Sequence, residues 1–212
     1  MIHDLREQYM ARGLDESDLA SDPIEQLNEW LESAVAAGLR LTEAMVLATV
    51  DPAGRPSART VLLKGADERG LGFYTNYRSR KGRELDSNPH AALLFVWNEI
   101  SRQIRVTGEV SRASEKDSDE YFATRGRGAM IEAWASRQSE EIASRDALET
   151  SFAELEGRFE GAPVPRPDHC GLYRLDPDSF EFWQGRPDRM HDRLEYVRAA
   201  HAGGWTVRRL SP

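Results

Sequence analysis

Ten basic side chains in four groups are the most conspicuous chemical resource of this sequence. Arg59 and Lys64 bracket an apolar stretch; Arg80, Lys81 and Arg83 open a short polar segment; Arg125 and Arg127 follow Tyr121; Arg189, His191 and Arg193 follow a Trp-Gln-Gly. A guanidinium grips a phosphate through forked, charge-assisted hydrogen bonds, and a helix N-terminus adds backbone N–H donors. Arg80-Lys81 at such a start, with Thr75 just before it, would make a phosphate cradle. Any single Arg or Lys is far more often a solvated surface charge, so the pattern alone marks an anion site without identifying the anion. Gln103 lies among apolar strand residues, where its amide needs a partner, either neighbouring backbone or the edge of a ligand ring. Trp134 and Trp183 fit core or interface packing better than ring stacking. His191 fits a structural role, a general base or a phosphate donor. Cys170, next to His169, lacks an activating partner in sequence and reads as inert.

These residues need a scaffold, and composition bounds it. The 212 residues carry 28 Lys and Arg against 36 Asp and Glu, a net charge of -8. Bulk binding to nucleic acid or an anionic membrane is thereby disfavoured, so an anionic ligand must be met by local clustering of cations. No apolar run approaches the roughly 20 residues of a membrane span. The first 19 residues lack the apolar segment of a signal peptide. The single cysteine excludes an internal disulfide, and no metal-spaced Cys/His cluster occurs, so no metal is expected. A cytoplasmic protein is the expectation.

Residues 1–20 are polar and weakly periodic, a short N-terminal helix. Asp22-Pro23 is an N-cap followed by proline at the first helical position, and Ile24, Leu27, Trp30, Leu31 and Val35 continue at helical spacing. From residue 44 the texture becomes that of strands: 44–50 and 57–64 as a hairpin, 70–76, then a short basic helix closed by Asn88-Pro89, then 90–97 and 100–113 as a second hairpin. Residues 114–160 read as helical. After a proline-rich connector, 171–177, 178–185, 191–198 and 204–210 read as four short strands. Strands at hairpin spacing argue against a doubly wound parallel sheet and for a small antiparallel barrel flanked by helices, an α+β fold.

Taken in order, these segments resemble the pyridoxine (pyridoxamine) 5′-phosphate oxidase family. The resemblance is carried by RTVLLK at 59–64, FYTN at 73–76, SRKGRELDSNP at 79–89, RQIRVTG at 102–108, YFATR at 121–125, AWASRQS at 133–139, EFWQGRPDRMHDR at 181–193 and RRLSP at 208–212. It implies a split antiparallel β-barrel of Greek-key type that binds FMN. The implied arrangement is a mobile N-terminal lid over 1–20 and a single domain over 21–212 with a helical insert at 114–160. It implies a homodimer with FMN at the interface. The implied reaction oxidises pyridoxamine or pyridoxine 5′-phosphate to pyridoxal 5′-phosphate, with hydride passing from C4′ to flavin N5 and O2 reduced to H2O2. The cofactor set carried over is Arg59, Thr60, Val61, Leu62, Leu63, Lys64, Tyr74, Thr75, Arg80, Lys81, Gln103, Gln138, Ser139, Trp183 and Arg193. Lys64, Tyr121 and Arg125 would hold the substrate phosphate. Arg189 would lie over the substrate ring to stabilise developing charge, and His191 would assist proton removal. Arg6 and Tyr9 align with lid residues.

The departures from the family pattern lie mainly on the substrate side. Ala129 stands where a serine commonly donates to the substrate phosphate, Gly126 where proline is usual, Glu132 where glycine is common and Met190 where leucine is frequent. His169-Cys170-Gly171 replaces a Trp-Gly-Gly turn, and Glu7-Gln8 an Arg-Glu pair in the lid. A related FMN oxidase or reductase for another aromatic substrate, or a non-catalytic flavin or pyridoxal-phosphate carrier, is the alternative reading.

Overall fold

The computed structural model describes residues 2–199 and 203–212; Met1, within the expected lid segment, lies outside them. Helices α1 (Ile2–Arg12) and α2 (Pro23–Ala36) precede strands β1 (Ala44–Val50), β2 (Pro56–Asp67) and β3 (Gly70–Asn76). Helix α3 (Arg80–Ser87), strands β4 (His90–Trp97) and β5 (Arg102–Arg112), and helices α4 (Glu115–Ala123), α5 (Arg127–Ala135) and α6 (Arg145–Arg158) follow. The chain closes with β6 (Cys170–Gln184), β7 (Asp192–Arg198) and β8 (Trp205–Arg209). All pairings are antiparallel, in the order β3-β2-β1-β4-β5-β6-β7-β8, and β3 also pairs with β6. That last pairing closes six strands into a barrel and leaves β7 and β8 as an extension of one wall.

The barrel interior follows from period-two alternation. β1 alternates half-buried and buried residues, which puts Met45 and Leu47 inside. Phe73, Leu93, Phe95, Ile104, Val106, Leu175, Phe180 and Phe182 fill the same core. Helix α2 is capped as its sequence predicts: the Asp22 side chain accepts from the Ile24 amide, and Pro23 opens the helix. Its buried face, Leu27, Trp30 and Ala34, packs on this core, with Trp30 edge-on to Phe182 at 5.1 Å.

The closing segment differs from its sequence reading. The expected break between 171–177 and 178–185 is a bend inside one fifteen-residue strand. Residues 170–175 of β6 pair with β3 and residues 179–184 with β7, while β5 runs beside both halves. Pro177 lacks an N–H, which reads locally as a stop, but it sits at the register shift of β5–β6, opposite Gly108, where an irregularity accommodates the missing donor. A side chain at Gly108 would run into the Asp176 carbonyl. Helices α4 to α6 pack as a lobe beside the barrel, with Phe122 and Ala133 against Cys170, and Ile131 against Phe159 and Val164.

Candidate active site

A cleft of about 620 Å³ opens along β2 and β3 where the barrel meets the N-terminus of α3 and the helical lobe. Its lining brings together Arg59, Thr60, Val61, Leu62 and Lys64 of β2, Tyr74 and Thr75 of β3, and Arg80 and Lys81 of α3. Tyr121, Arg125, Gln138 and Ser139 complete it from the lobe. Five cations thus meet in one hollow on an acidic chain.

Lys81 is the most constrained of them. Its side chain is buried, with the residue 7% exposed, and Nζ donates to Gln138 Oε1 at 2.8 Å, Thr75 Oγ1 at 2.9 Å and Ser79 Oγ at 3.1 Å. Burial, then repulsion from Arg59, lowers the amine to about 8. The amine therefore sits among neutral oxygens, a position that an anion in the cleft would complete. Local sequence sets up this geometry. Ser79 caps α3 by accepting from the Gly82 amide, and Gly82 is required because a Cβ there would collide with the Tyr77 carbonyl.

Arg59 is held from behind. Its Nη1 donates to the Leu47 carbonyl at 3.2 Å and to Thr49 Oγ1 at 2.5 Å, and its Nη2 to Ser57 Oγ at 2.5 Å and Glu84 Oε2 at 3.1 Å. Arg80 Nε donates to the other oxygen of Glu84 at 2.8 Å. Glu84 is buried. Burial alone would raise its pKa, but donors from Ser57, Thr49, Arg80 and Arg59 hold it at about 2.

Lys64 sits five residues along β2 from Arg59, roughly 16 Å of strand, at the irregularity between Leu63 and Gly65. Its amine lies 5.5 Å from the Tyr121 ring centroid, and Tyr121 packs on Tyr74 at 4.8 Å. Arg125 lies 5.4 Å from the Tyr74 ring and 3.9 Å from Glu132. The Tyr74 hydroxyl is buried without a hydrogen-bond partner, and burial pushes its pKa up. A second polar hollow lined by Tyr74, Arg125, Glu132, Gln138 and Cys170 shares these residues with the cleft.

The other expected residues lie elsewhere. Leu63, 9% exposed, faces the barrel core and does not line the cleft. Gln103, Trp183 and Arg193 form one row across β5, β6 and β7, since the register pairs Gln103 with Trp183 and Trp183 with Arg193. Arg193 donates through Nε to Glu181 at 2.7 Å and through Nη1 to the Ser211 carbonyl at 2.8 Å. The His191 ring stands 4.7 Å from that of Trp183, and its Nδ1 accepts from the Arg186 amide at 3.1 Å. Arg189 is exposed on the turn after β6, where Asp188 and Arg189 both have positive φ. Arg6 donates to Ser101 Oγ at 2.8 Å, and the Tyr9 and Ser33 hydroxyls are 2.9 Å apart, so α1 rests on the β4–β5 connection rather than over the cleft. The Arg102 guanidinium lies between the Tyr9 and Trp30 rings, at 4.7 and 4.1 Å.

Sequence reasoning missed Ser57, Thr49 and Glu84. Only Glu84 left a signal: it stands four residues after Arg80 on a short helix, the spacing of an ion pair. Among the described residues no group of three or more His, Cys, Asp or Glu is placed to hold a metal, and no helix is long and apolar enough to cross a membrane.

Comparison with known proteins adds independent findings. Residues 31–159 match a family described as pyridoxamine 5′-phosphate oxidase, and residues 171–212 match the pyridoxine 5′-phosphate oxidase C-terminal dimerisation region. A Rubrobacter xylanophilus protein named pyridoxine/pyridoxamine 5′-phosphate oxidase is 58% identical over 98% of this chain and 95% of its own length. A Burkholderia mallei protein of the same name is 55% identical over 100% of this chain and 99% of its own. Among solved structures, PhzG from Burkholderia lata in complex with tetrahydrophenazine-1-carboxylic acid is similar with a TM-score of 0.88 and 36% identity, covering 94% of this chain and 98% of that one. A Nostoc punctiforme FMN-binding protein related to pyridoxamine 5′-phosphate oxidase shares the fold, with a TM-score of 0.72 and 20% identity over 92% of this chain and 100% of that one.

Proposed function

The chain belongs to the pyridoxamine 5′-phosphate oxidase family, and from that premise we propose that it oxidises pyridoxamine or pyridoxine 5′-phosphate to pyridoxal 5′-phosphate with FMN as cofactor. The observation that carries this reading is the cationic cleft: two groups of phosphate-binding residue types, one around Arg59 and one around Lys64 of β2, meet in one hollow of an acidic chain. Arg59, Arg80, Lys81 and Thr75 would hold the FMN phosphate, and the buried amine of Lys81, facing only neutral oxygens, fits an anionic partner. Thr60, Val61, Leu62 and Tyr74 would line the flavin, and Gln138 and Ser139 would bond its polar edge. Lys64, Tyr121 and Arg125 would take the substrate phosphate. Bound FMN would supply the two-electron chemistry, accepting hydride from the substrate C4′ and delivering the electrons to O2 to give H2O2.

The remaining residues suit a homodimer. The row Gln103–Trp183–Arg193 and the turn carrying Arg189 and His191 lie off the cleft of their own chain, within or next to a segment matching a dimerisation region. A second copy brings that row to the cleft and completes two equivalent sites. There Arg189 stabilises charge that develops as hydride leaves. His191 Nδ1 is occupied by the Arg186 amide, so the neutral ring carries its proton on Nε2. In the completed site that Nε2–H would face the substrate as a hydrogen-bond donor. Holding the two rings in contact is the larger task, and it is a matter of positioning.

The test is aerobic incubation of the purified protein with pyridoxamine 5′-phosphate. H2O2 together with pyridoxal-phosphate absorbance is the expected result, and neither appearing refutes the reading. The Arg125–Glu132 pair favours one competitor, an oxidase for a different aromatic substrate, because it places a carboxylate beside the proposed substrate phosphate. That competitor would leave bound flavin unbleached by pyridoxamine phosphate yet reducible by another donor.

A further inference from the structure

We propose that Glu84 is a positioning residue that sets the geometry and net charge of the cofactor-phosphate cradle; this rests on the reading of Arg59, Arg80 and Lys81 as that cradle. Glu84 touches neither the cleft nor, by its position, any ligand in it. It does touch both arginines. One carboxylate oxygen accepts from Arg80 Nε at 2.8 Å. The other accepts from Arg59 Nη2 at 3.1 Å, Ser57 Oγ at 2.6 Å and Thr49 Oγ1 at 2.5 Å. The two hydroxyls also accept from the Arg59 guanidinium, so each relays between Arg59 and Glu84. Arg59 is thereby fixed by partners on two strands and a helix: Leu47 and Thr49 on β1, Ser57 on β2 and Glu84 on α3.

Two consequences follow. First, all four groups around Glu84 donate, so the site needs an acceptor-only side chain, and an ionised carboxylate is one. Second, three cations less one carboxylate leave two net positive charges at the cradle. A phosphate monoester near neutral pH carries roughly 1.5 to 2 negative charges, so the cradle matches it without excess. A side chain fixed beforehand loses less freedom when the ligand arrives, which favours affinity.

The test uses the flavin-free full chain titrated by flavin fluorescence with FMN and, separately, with riboflavin, which lacks the phosphate. Glu84→Ala is expected to raise the FMN Kd by about tenfold or more while the riboflavin Kd stays within about twofold, as befits the loss of a charged hydrogen-bond anchor. Glu84→Gln keeps the shape and one acceptor oxygen but turns donors toward donors, so its FMN loss should be smaller than that of Glu84→Ala and again specific to FMN. Equal losses for FMN and riboflavin would reduce Glu84 to a structural residue and overturn the proposal, as would an unchanged FMN Kd in both variants. If Glu84→Ala fails to fold, the Glu84→Gln ratio decides. A wild-type chain that binds FMN no more tightly than riboflavin overturns the phosphate reading itself, and this proposal with it.

Discussion

The cleft along β2 and the row on β5 to β7 carry similar residue types but are built differently. In the cleft, Lys81 is buried and Arg59 is tied to four partners on three elements, among them Glu84, buried behind the lining. On the row, Arg193 is held at its rim by Glu181 and a terminal carbonyl, while Arg189 stands exposed on a strained turn. One region is organised by its own chain. The other presents side chains outward, as a surface does that finds its partner in another molecule. The difference teaches that proximity in sequence or chemical likeness does not assign residues to one site; enclosure does.

That contrast can be broken in several ways. Diluting the protein until it is monomeric should release the flavin almost completely if, as proposed, the outward row of a second copy completes the site; a fully flavinated monomer in gel filtration with absorbance detection would erase the distinction. Lys81→Ala should raise the FMN Kd by about 100-fold, about 2.7 kcal/mol for a buried charged anchor, with a smaller change in substrate KM. The reverse ranking would exchange the two phosphate assignments. Arg189→Ala and His191→Ala should each lower kcat/KM by at least about tenfold while leaving the FMN Kd near that of the wild type. Values within about threefold, roughly 0.7 kcal/mol, would remove the turn beside the row from the reaction.

The smallest effect is one of pH. The Lys81 amine lies at about 8, below its ordinary value, with burial as the first cause. It is protonated below that pH and loses its proton above it. FMN affinity should therefore be level from pH 6 to 7.5 and fall by up to about tenfold by pH 9. Lys81→Arg, whose guanidinium stays charged, should flatten the decline. For folding the sign is opposite. A lysine depressed in the folded state makes folding less favourable while the unfolded amine is still protonated and the folded one is too. That cost diminishes as pH rises from about 8 toward the ordinary lysine value. A decline in affinity that persists unchanged in Lys81→Arg would assign the titration to another group.

The two regions also differ in how far the sequence discloses them. Asp22-Pro23, Ser79 before a basic helix and the alternation of β1 are set by neighbours in the chain, because caps and period-two faces need only local hydrogen bonds and local side-chain direction. The cationic residue types of the cleft, and the family motifs that carry them, were likewise present in the order of residues. Tertiary structure alone decided the rest. Pairing of β3 with β6 closes the barrel across about a hundred residues of chain, and β5, running beside both halves of β6, makes one strand of what Pro177 divides in sequence. Leu63 turns to the core while its neighbours on β2 line the cleft. Burial of Lys81 and convergence of Thr49, Ser57, Arg59 and Arg80 on Glu84 come from four elements meeting. Enclosure and charge balance are properties of atoms brought together across long loops, and no local rule of spacing encodes them.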